Sequence, residues 1–107
     1  MSEKVFNKLV RDKIPAIIES NGEMPITRVL SDEEYKKELI IKLQEEVNEF
    51  VDSEEAEELA DIVEVVYGLL NYKKISLGEF EKLRLAKVEK RGGFANKIFL
   101  EKTIKED

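Results

Sequence analysis

The chain has 107 residues, enough for one modest hydrophobic core, and we expect residues 1–107 to form a single domain. Its net charge of −6 argues against a nucleic-acid polymer as a partner. Cysteine and histidine are absent, which excludes thiolate and imidazole chemistry. No segment is apolar enough for a signal peptide or a membrane span, so we expect a cytoplasmic protein without membrane contact.

The N-terminal part of the chain is predicted to contain one short helix between less regular segments. Residues 5–11 are expected to be extended or irregular. Asp12 suits the N-cap of a helix that begins at Lys13, and the Asn-Gly pair at 21–22 suits the end of that helix. Residues 25–30 are β-prone and favour a short strand.

Two long helices are predicted in the middle of the chain. Residues 31–34 have the form of a capping box and open a helix that extends to about residue 51. Asp52 and Ser53 both suit the N-cap of the next helix, which covers about 54–71. The apolar face predicted for the first of these helices contains Leu39, Leu43, Val47 and Phe50. The buried stripe predicted for the second contains Leu59, Ile62, Val63, Val66 and Leu70.

A fourth helix is predicted after residue 76, where Ser-x-x-Glu again has the form of a capping box. This helix is expected to stop at Gly92-Gly93, and residues 94–100 favour a second short strand. The predicted fold is therefore all-α, an antiparallel four-helix-type bundle. A short two-stranded β ribbon can be added if 25–30 pairs with 94–100.

The segment 43–72 contains ten carboxylates and no lysine or arginine. Four of the acids form a mirrored pattern about a point between residues 53 and 54: Glu46-x-x-Glu49 and Glu58-x-x-Asp61. If that point is the tip of a helical hairpin, Glu46 faces Asp61 and Glu49 faces Glu58. Converging carboxylates need positive charge, and oxygen ligands alone predict Mg²⁺, with Mn²⁺ as a substitute.

Helical geometry places two of these acids among apolar residues. At ~100° per residue, Glu46 falls within about 20° of Leu39, and Glu58 falls between Val65 and Leu69. A purely solvated role is therefore a poor interpretation of both. A solvated acidic face is still the alternative, because Glu-x-x-Glu is common in glutamate-rich helices.

A magnesium site of this kind suits the hydrolysis of a phosphoanhydride. Mg²⁺ usually binds through a few carboxylates together with substrate phosphates, and it neutralises charge that develops during hydrolysis. Glu45 or Glu49 is the candidate catalytic group that accepts a proton from the attacking water. Their spacing does not choose between them.

Two basic clusters are candidate ligands of the substrate phosphates, and arginine suits bidentate contacts with them. They comprise Lys8, Arg11 and Lys13 before the first helix, and Lys87, Lys90 and Arg91 at the end of the fourth. As an alternative, cations in the last turn of a helix favour its dipole, and Gly92 is simply a C-cap. The Gly92-Gly93 turn would also let backbone amides approach a ligand. Phe94 is assigned to core or strand packing, with stacking on a base as the alternative.

The constellation Glu-x-x-Glu…Glu-x-x-Asp resembles the all-α nucleoside triphosphate pyrophosphohydrolases, the superfamily of MazG-like and phosphoribosyl-ATP pyrophosphohydrolase proteins. Asn-Lys-Leu-Val-Arg-Asp-Lys-Ile-Pro at 7–15 and Lys-Arg-Gly-Gly-Phe at 90–94 are similar to the small single-domain MazG-related branch. The three motifs occur in the expected order over nearly the whole chain. One departure is that eight residues separate Glu49 from Glu58, fewer than the family commonly shows, which leaves less protein to shape a nucleoside pocket.

The resemblance implies Mg²⁺-dependent cleavage of a nucleoside triphosphate to the monophosphate and pyrophosphate, as a house-cleaning activity. The metal ligands that it implies are Glu46, Glu49, Glu58 and Asp61. It also implies a homodimer or a larger homo-oligomer, whose site can draw on two subunits. Hydrolysis of phosphoribosyl-ATP is the alternative within this class. A non-catalytic acidic helical module that mediates assembly is the alternative from another class.

Overall fold

The computed structural model describes residues 2–105, and the regular structure in this range is entirely helical. The helices are α1 (Ile14–Ser20), α2 (Asp32–Ser53), α3 (Ala56–Tyr72) and α4 (Leu77–Arg91). The all-α class predicted from the sequence is therefore confirmed. None of the helices in the described range is both long and apolar enough to cross a bilayer. The cytoplasmic location stays a prediction.

The β ribbon expected from the sequence does not form within residues 2–105. Neither 25–30 nor 94–100 is a strand. Ile26 and Val29 are 87% and 97% exposed, so these β-prone side chains pack against no sheet face. Because β-propensity reflects such packing more than an intrinsic backbone preference, composition alone did not produce a strand here.

The chain divides into two compact units, and the boundary lies between Ile75 and Ser76. The first unit contains α1, α2 and α3, and the second contains α4 and the segment after it. In the second unit, Ser76 caps α4 by accepting a hydrogen bond from the Glu79 amide at 3.1 Å. Gly92 ends α4 with a φ of 81°, as the predicted stop requires.

The first unit is built on an antiparallel hairpin of α2 and α3, joined by the two residues Glu54 and Glu55. Glu54 adopts the left-handed conformation (φ 57°), and its amide donates to the Phe50 carbonyl at 2.7 Å. This single αL residue reverses the chain within one turn.

The register of the hairpin follows the mirror predicted from the acids. The rings of Tyr35 and Tyr72 meet edge to face with centroids 6.5 Å apart. Leu39 packs on Gly68, where an added Cβ would lie 2.9 Å from Leu39 Cδ2. In both pairs the residue numbers add to 107, as they do for Glu46 and Asp61. The predicted hairpin and its register are confirmed.

Helix N-termini agree with the sequence in one of the three cases within the first unit. Ser31 and Glu34 form the predicted capping box at the start of α2. Asp12 is not the cap of α1, because Lys13 occupies that position without a side-chain hydrogen bond. The predicted N-caps of α3 at residues 52 and 53 are also wrong, because α2 extends through both and Glu55 takes the cap position.

The buried core of the first unit is small, and its centre is Leu39 on α2 with Val65 and Leu70 on α3. Three residues of the predicted stripes are instead more than two-fifths exposed: Val47 at 42%, Leu59 at 47% and Val63 at 45%. These predictions of burial are wrong for the described chain. The apolar arc of each helix is wider than the surface that the opposite helix covers, so the edge of the arc faces outward.

Candidate functional site

Three carboxylates from the two helices of the hairpin converge at one place. Glu46 comes from α2, Glu58 and Asp61 come from α3, and one oxygen of each lies within 4.8 Å of the others. Glu46 is buried, and the other two are half-buried. We call these three residues the acidic cluster. It brings together three of the four predicted metal ligands.

The register of the hairpin explains why these side chains meet. On α2, Glu46 lies seven residues after Leu39, which is two helical turns along the face that packs against α3. On α3, Asp61 lies seven residues before Gly68, the contact partner of Leu39. Because the helices are antiparallel, two turns after Leu39 and two turns before Gly68 lead to the same height along the hairpin. Glu46 and Asp61 therefore lie opposite each other.

Glu46 is the residue whose environment is most unusual for an acid. It is only 6% exposed, and its Oε2 atom has no hydrogen-bond partner. Burial raises the pKa of this carboxyl above its ordinary value, and the negative charge of Glu49 raises it further. Lys42 opposes the shift, since its ammonium lies 3.5 Å from Glu46 Oε1. A buried carboxylate with one free oxygen is costly unless another cation uses that oxygen.

Lys42 is the functional residue that the sequence reasoning missed. Its ammonium lies between Glu46 and Glu45, at 3.5 Å from the first and 3.8 Å from the second. The signal was the i,i+3 and i,i+4 spacing to these acids. It was overlooked because the lysine-free segment begins one residue later, at Leu43. Part of the positive charge that the converging acids need therefore comes from a side chain of α2 itself.

Two of the predicted phosphate ligands also lie at the acids. Arg11 donates through Nη2 to Asp61 Oδ1 at 2.5 Å, and Lys8 Nζ lies 3.4 Å from Glu45 Oε1. Lys13 is exposed and takes no part in the ion pairs found among residues 2–105. The N-terminal basic motif is thus folded against the acidic hairpin.

Glu49, the fourth predicted ligand, is exposed, and its carboxylate does not belong to the acidic cluster in the described residues. It acts on the cluster at longer range, through the effect of its charge on the pKa of Glu46. Glu45 is half-buried and is contacted by the ammonium groups of Lys8 and Lys42. The two candidate proton acceptors therefore differ in their surroundings.

The second basic cluster lies in the second unit. Lys87, Lys90 and Arg91 are exposed on α4, and Lys90 and Arg91 stand in its last turn. A shallow pocket follows, lined by Arg91 and residues 92–98. Phe94, at the edge of this pocket, is 98% exposed, so its assignment to core or strand packing is wrong for the described chain.

The acidic cluster fits a hard divalent cation on two observations of this structure. Its donors are all carboxylate oxygens, the ligand type that Mg²⁺ and Mn²⁺ prefer. One of those donors, Glu46, is more than nine-tenths buried and retains an oxygen without a partner. An ion pair with Lys42 satisfies only the other oxygen.

Comparison with known proteins places the chain beside a protein of Mycolicibacterium smegmatis (strain ATCC 700084 / mc(2)155) that is described as uncharacterized. The two are 52% identical over 42 residues, which cover 39% of this chain and 43% of the mycobacterial protein. The match thus spans less than half the length of that relative. No family model and no solved structure matches the chain.

Proposed function

We propose that this protein is a Mg²⁺-dependent nucleoside triphosphate pyrophosphohydrolase that releases the monophosphate and pyrophosphate. The observation that carries the proposal is the acidic cluster, in which buried Glu46 keeps an unpartnered oxygen beside Glu58 and Asp61. A solvated acidic face would not bury one of its carboxylates. The resemblance of the acidic motifs to the pyrophosphohydrolase superfamily supplies the reaction class.

In this proposal Glu46, Glu58 and Asp61 hold the metal, with Glu49 as a ligand from the rim of the site. The bound cation supplies charge neutralisation for the phosphates of the substrate. Burial of Glu46 holds its carboxylate in one place and limits the water around it. A fixed, partly desolvated carboxylate strengthens electrostatic interactions within the site.

Glu49 is the better candidate for the group that accepts a proton from the attacking water. Glu45 is contacted by two ammonium groups, at 3.4 Å and 3.8 Å, which compete with a water for its oxygens. Glu49 is exposed, and no ion pair found among residues 2–105 includes it. A rim ligand of this kind binds the metal through one oxygen and keeps the other to accept a hydrogen bond from water at the edge of the acidic cluster.

The basic residues are assigned to the phosphates that extend beyond the metal. Arg11 and Lys8 already lie at the acidic residues, where phosphates on a metal would meet them. Lys13 is exposed, as an anion ligand of an open site needs to be. Lys87, Lys90 and Arg91 are exposed on α4 in the second unit, and their role as phosphate ligands stays a prediction from the sequence.

Assembly into a homodimer or larger homo-oligomer is also proposed, and the far side of the hairpin supports it. Ile40, Val47 and Val51 on α2 are 46%, 42% and 68% exposed, and Leu59 and Val63 on α3 are 47% and 45% exposed. We call these five residues the apolar face. They form a cluster larger than the single apolar side chains usual on a monomer surface.

The five residues lie on the same side of the hairpin, whereas the acidic cluster lies close to the line of contact between the two helices. Counted from Leu39 on α2 and from Val65 on α3, they are rotated about the helix axes in one sense, by about 80–120° on α2 and about 120–160° on α3. Because the helices are antiparallel, equal rotational sense means the same side. Glu46, Glu58 and Asp61 lie within about 40° of these two references, so they are separated from the apolar face. A second copy can therefore cover the apolar face without closing the metal site.

The activity is tested by assaying pyrophosphate release with Mg²⁺ over a panel of nucleoside triphosphates that also contains phosphoribosyl-ATP. Glu58→Gln and Asp61→Asn should each abolish turnover while circular dichroism shows unchanged helix content. Glu64→Gln is the matched control, because Glu64 is an exposed acid on α3 outside the cluster. Normal turnover in both cluster variants would remove the assignment, and selective cleavage of phosphoribosyl-ATP would replace the proposed substrate class.

A non-catalytic assembly module is the second candidate function, because the apolar face favours association on its own. Val47→Glu should produce monomers in sedimentation experiments if a second copy covers this face. Ile41→Glu is the control, since Ile41 is 49% exposed but lies outside the apolar face, on the surface of α2 that is turned away from α3. Assembly that depends on Val47, together with no hydrolysis of any nucleotide in the panel, would favour the module over the enzyme.

A further inference from the structure

The segment before α1 is attached to the hairpin by ionic hydrogen bonds from two residues. Lys8 reaches Glu45 across 37 positions of sequence, and Arg11 reaches Asp61 across 50. Within residues 2–105, the backbone amides of 5–11 make no hydrogen bonds to the hairpin. Side-chain charge therefore provides the polar attachment of this segment.

The two attachments end on the same group of acids that is proposed to hold the metal. Asp61 belongs to the acidic cluster, and Glu45 shares Lys42 with Glu46. Among the described residues, Lys8, Arg11 and Lys42 form ion pairs with three carboxylates of this region: Glu45, Glu46 and Asp61. Glu58, the remaining acid of the acidic cluster, forms no ion pair among the described residues, so the cluster keeps negative charge that a divalent cation can neutralise.

The three cations differ in how firmly they are held. Lys42 is on α2 itself, one turn before Glu46, and its side chain is only 18% exposed. The side chain of Arg11 is 55% exposed and comes from an irregular segment. A cation bound to Asp61 repels the guanidinium that occupies the same carboxylate. Of the two cations in contact with the acidic cluster, Arg11 is therefore the one that a metal can displace.

We propose that Arg11 is an exchangeable counter-ion of Asp61, which a divalent cation displaces on entering the acidic cluster. Displacement breaks the attachment nearest α1 and loosens residues 5–11 from the hairpin. Metal loading is thereby coupled to the position of the N-terminal basic motif. The proposal rests on the proposed metal site and adds that the metal competes with a residue of the chain.

The first experiment measures Mn²⁺ binding without nucleotide, from the electron paramagnetic resonance signal of the free ion. Arg11→Gln should bind Mn²⁺ roughly two- to fivefold more tightly than the unmodified protein, the range that loss of an exposed ion pair allows. Arg11→Lys keeps the charge and should stay close to the unmodified protein. Lys37→Gln, the matched control, removes an exposed cation of α2 that forms no ion pair among residues 2–105, and it should leave the affinity unchanged.

The second experiment follows the segment itself. The chain has no cysteine, so Val5→Cys, at a position 75% exposed, takes a single nitroxide label. Diamagnetic Mg²⁺ should increase the mobility of this label in the protein that retains Arg11. With Arg11→Gln or Asp61→Asn in addition, the label should be mobile before Mg²⁺ is added, and Mg²⁺ should cause no further change.

The outcomes separate this inference from the proposed function. If the unmodified protein binds Mn²⁺ but Arg11→Gln binds it equally or more weakly, Arg11 is not a competing counter-ion and the inference fails. If the protein binds Mn²⁺ but the mobility of the label does not change on addition of Mg²⁺, Arg11 is not displaced and the inference fails in the same way. If the unmodified protein binds no Mn²⁺, the metal site itself is absent and both proposals fall.

Discussion

Lys42 and Glu46 lie one turn apart on α2, and the ammonium of the first is 3.5 Å from Oε1 of the second. The other oxygen of the same carboxylate is buried without a partner. The pair is therefore only half satisfied, and a buried acceptor in this state costs about 1–3 kcal/mol. The metal-free protein carries this cost at the position where we propose that the metal binds.

Glu46→Gln is predicted to stabilise the metal-free protein at neutral pH, since it removes a buried charge whose pKa is already raised by burial. The midpoint of thermal unfolding should rise by the few degrees that about 1 kcal/mol produces in a chain of this size. Added Mg²⁺ should raise the midpoint of the unmodified protein but not that of Glu46→Gln. Glu64→Gln should respond to Mg²⁺ as the unmodified protein does.

The pH dependence of stability gives an independent check of the same residue. Because the folded-state pKa of Glu46 is raised, the folded protein binds this proton more tightly than the unfolded chain does. Its contribution to stability is fully present below the ordinary carboxyl pKa and is lost as the pH rises through the folded value. The difference in stability between Glu46→Gln and the metal-free unmodified protein should therefore increase as the pH rises through this range. A difference that is constant with pH would contradict the assignment.

Glu34 is predicted to change the stability of the protein with pH in the direction opposite to Glu46. A hydrogen bond from Arg28, followed by those from the Ser31 amide and hydroxyl, lowers the pKa of this carboxyl to about 2. A lowered folded-state pKa means that the stabilisation exists above the ordinary carboxyl pKa and is lost as the pH falls toward about 2. Unfolding of Glu34→Gln, followed by circular dichroism from pH 6 to 2, should show a weaker dependence on acid. Glu33→Gln, in the same turn, serves as the control.

Gly68→Val is predicted to destabilise the hairpin because a Cβ at this position would lie 2.9 Å from Leu39 Cδ2. Leu39 is only 4% exposed and has little room to move. Overpacking of this kind costs about 1–3 kcal/mol, measurable by urea denaturation. The same change at Gly78 should not destabilise α4, because the nearest atom to its added Cβ is Ser76 Oγ at 4.0 Å. Equal effects at both positions would contradict close packing at Gly68.

Glu54→Gly is predicted to stabilise the tip of the hairpin. Glu54 holds a φ of 57°, a region that costs a residue with a side chain about 1 kcal/mol and that glycine adopts freely. The gain should be up to about 1 kcal/mol in the free energy of unfolding, reduced by the greater freedom of glycine in the unfolded chain. Glu57→Gly, in the first turn of α3, should instead destabilise by a similar amount. A loss of stability at both positions would show that the tip is not strained.

The sequence predicted the hairpin and most of the acidic cluster because both depend on regular helix geometry. Once α2 and α3 are antiparallel with a short turn, spacing alone brings Glu46 level with Asp61. Ser31 and Glu34 were predictable for a similar reason, since a capping box is a local pattern. The all-α class follows from the same periodicity.

The remaining features of the site depend on contacts between distant parts of the chain. Nothing in the local sequence shows that Arg11 reaches Asp61, because 50 positions separate them and the intervening backbone is partly irregular. The sequence offered Asp52 and Ser53 as caps of α3, but α2 extends through both and Glu55 takes the cap position without a side-chain hydrogen bond that a local pattern could show. The exposure of Val63 likewise depends on what covers the apolar face, which periodicity does not specify.

The two-residue connection at Glu54 and Glu55 also determines how this architecture can tolerate changes in length. An insertion that shifted one helix against the other would move Asp61 away from Glu46, whereas added residues that loop out at the tip would keep the register. An insertion after Tyr72, where α3 ends, would leave that alignment intact. A longer tip that preserves the site should therefore add loop residues and keep Glu46 level with Asp61.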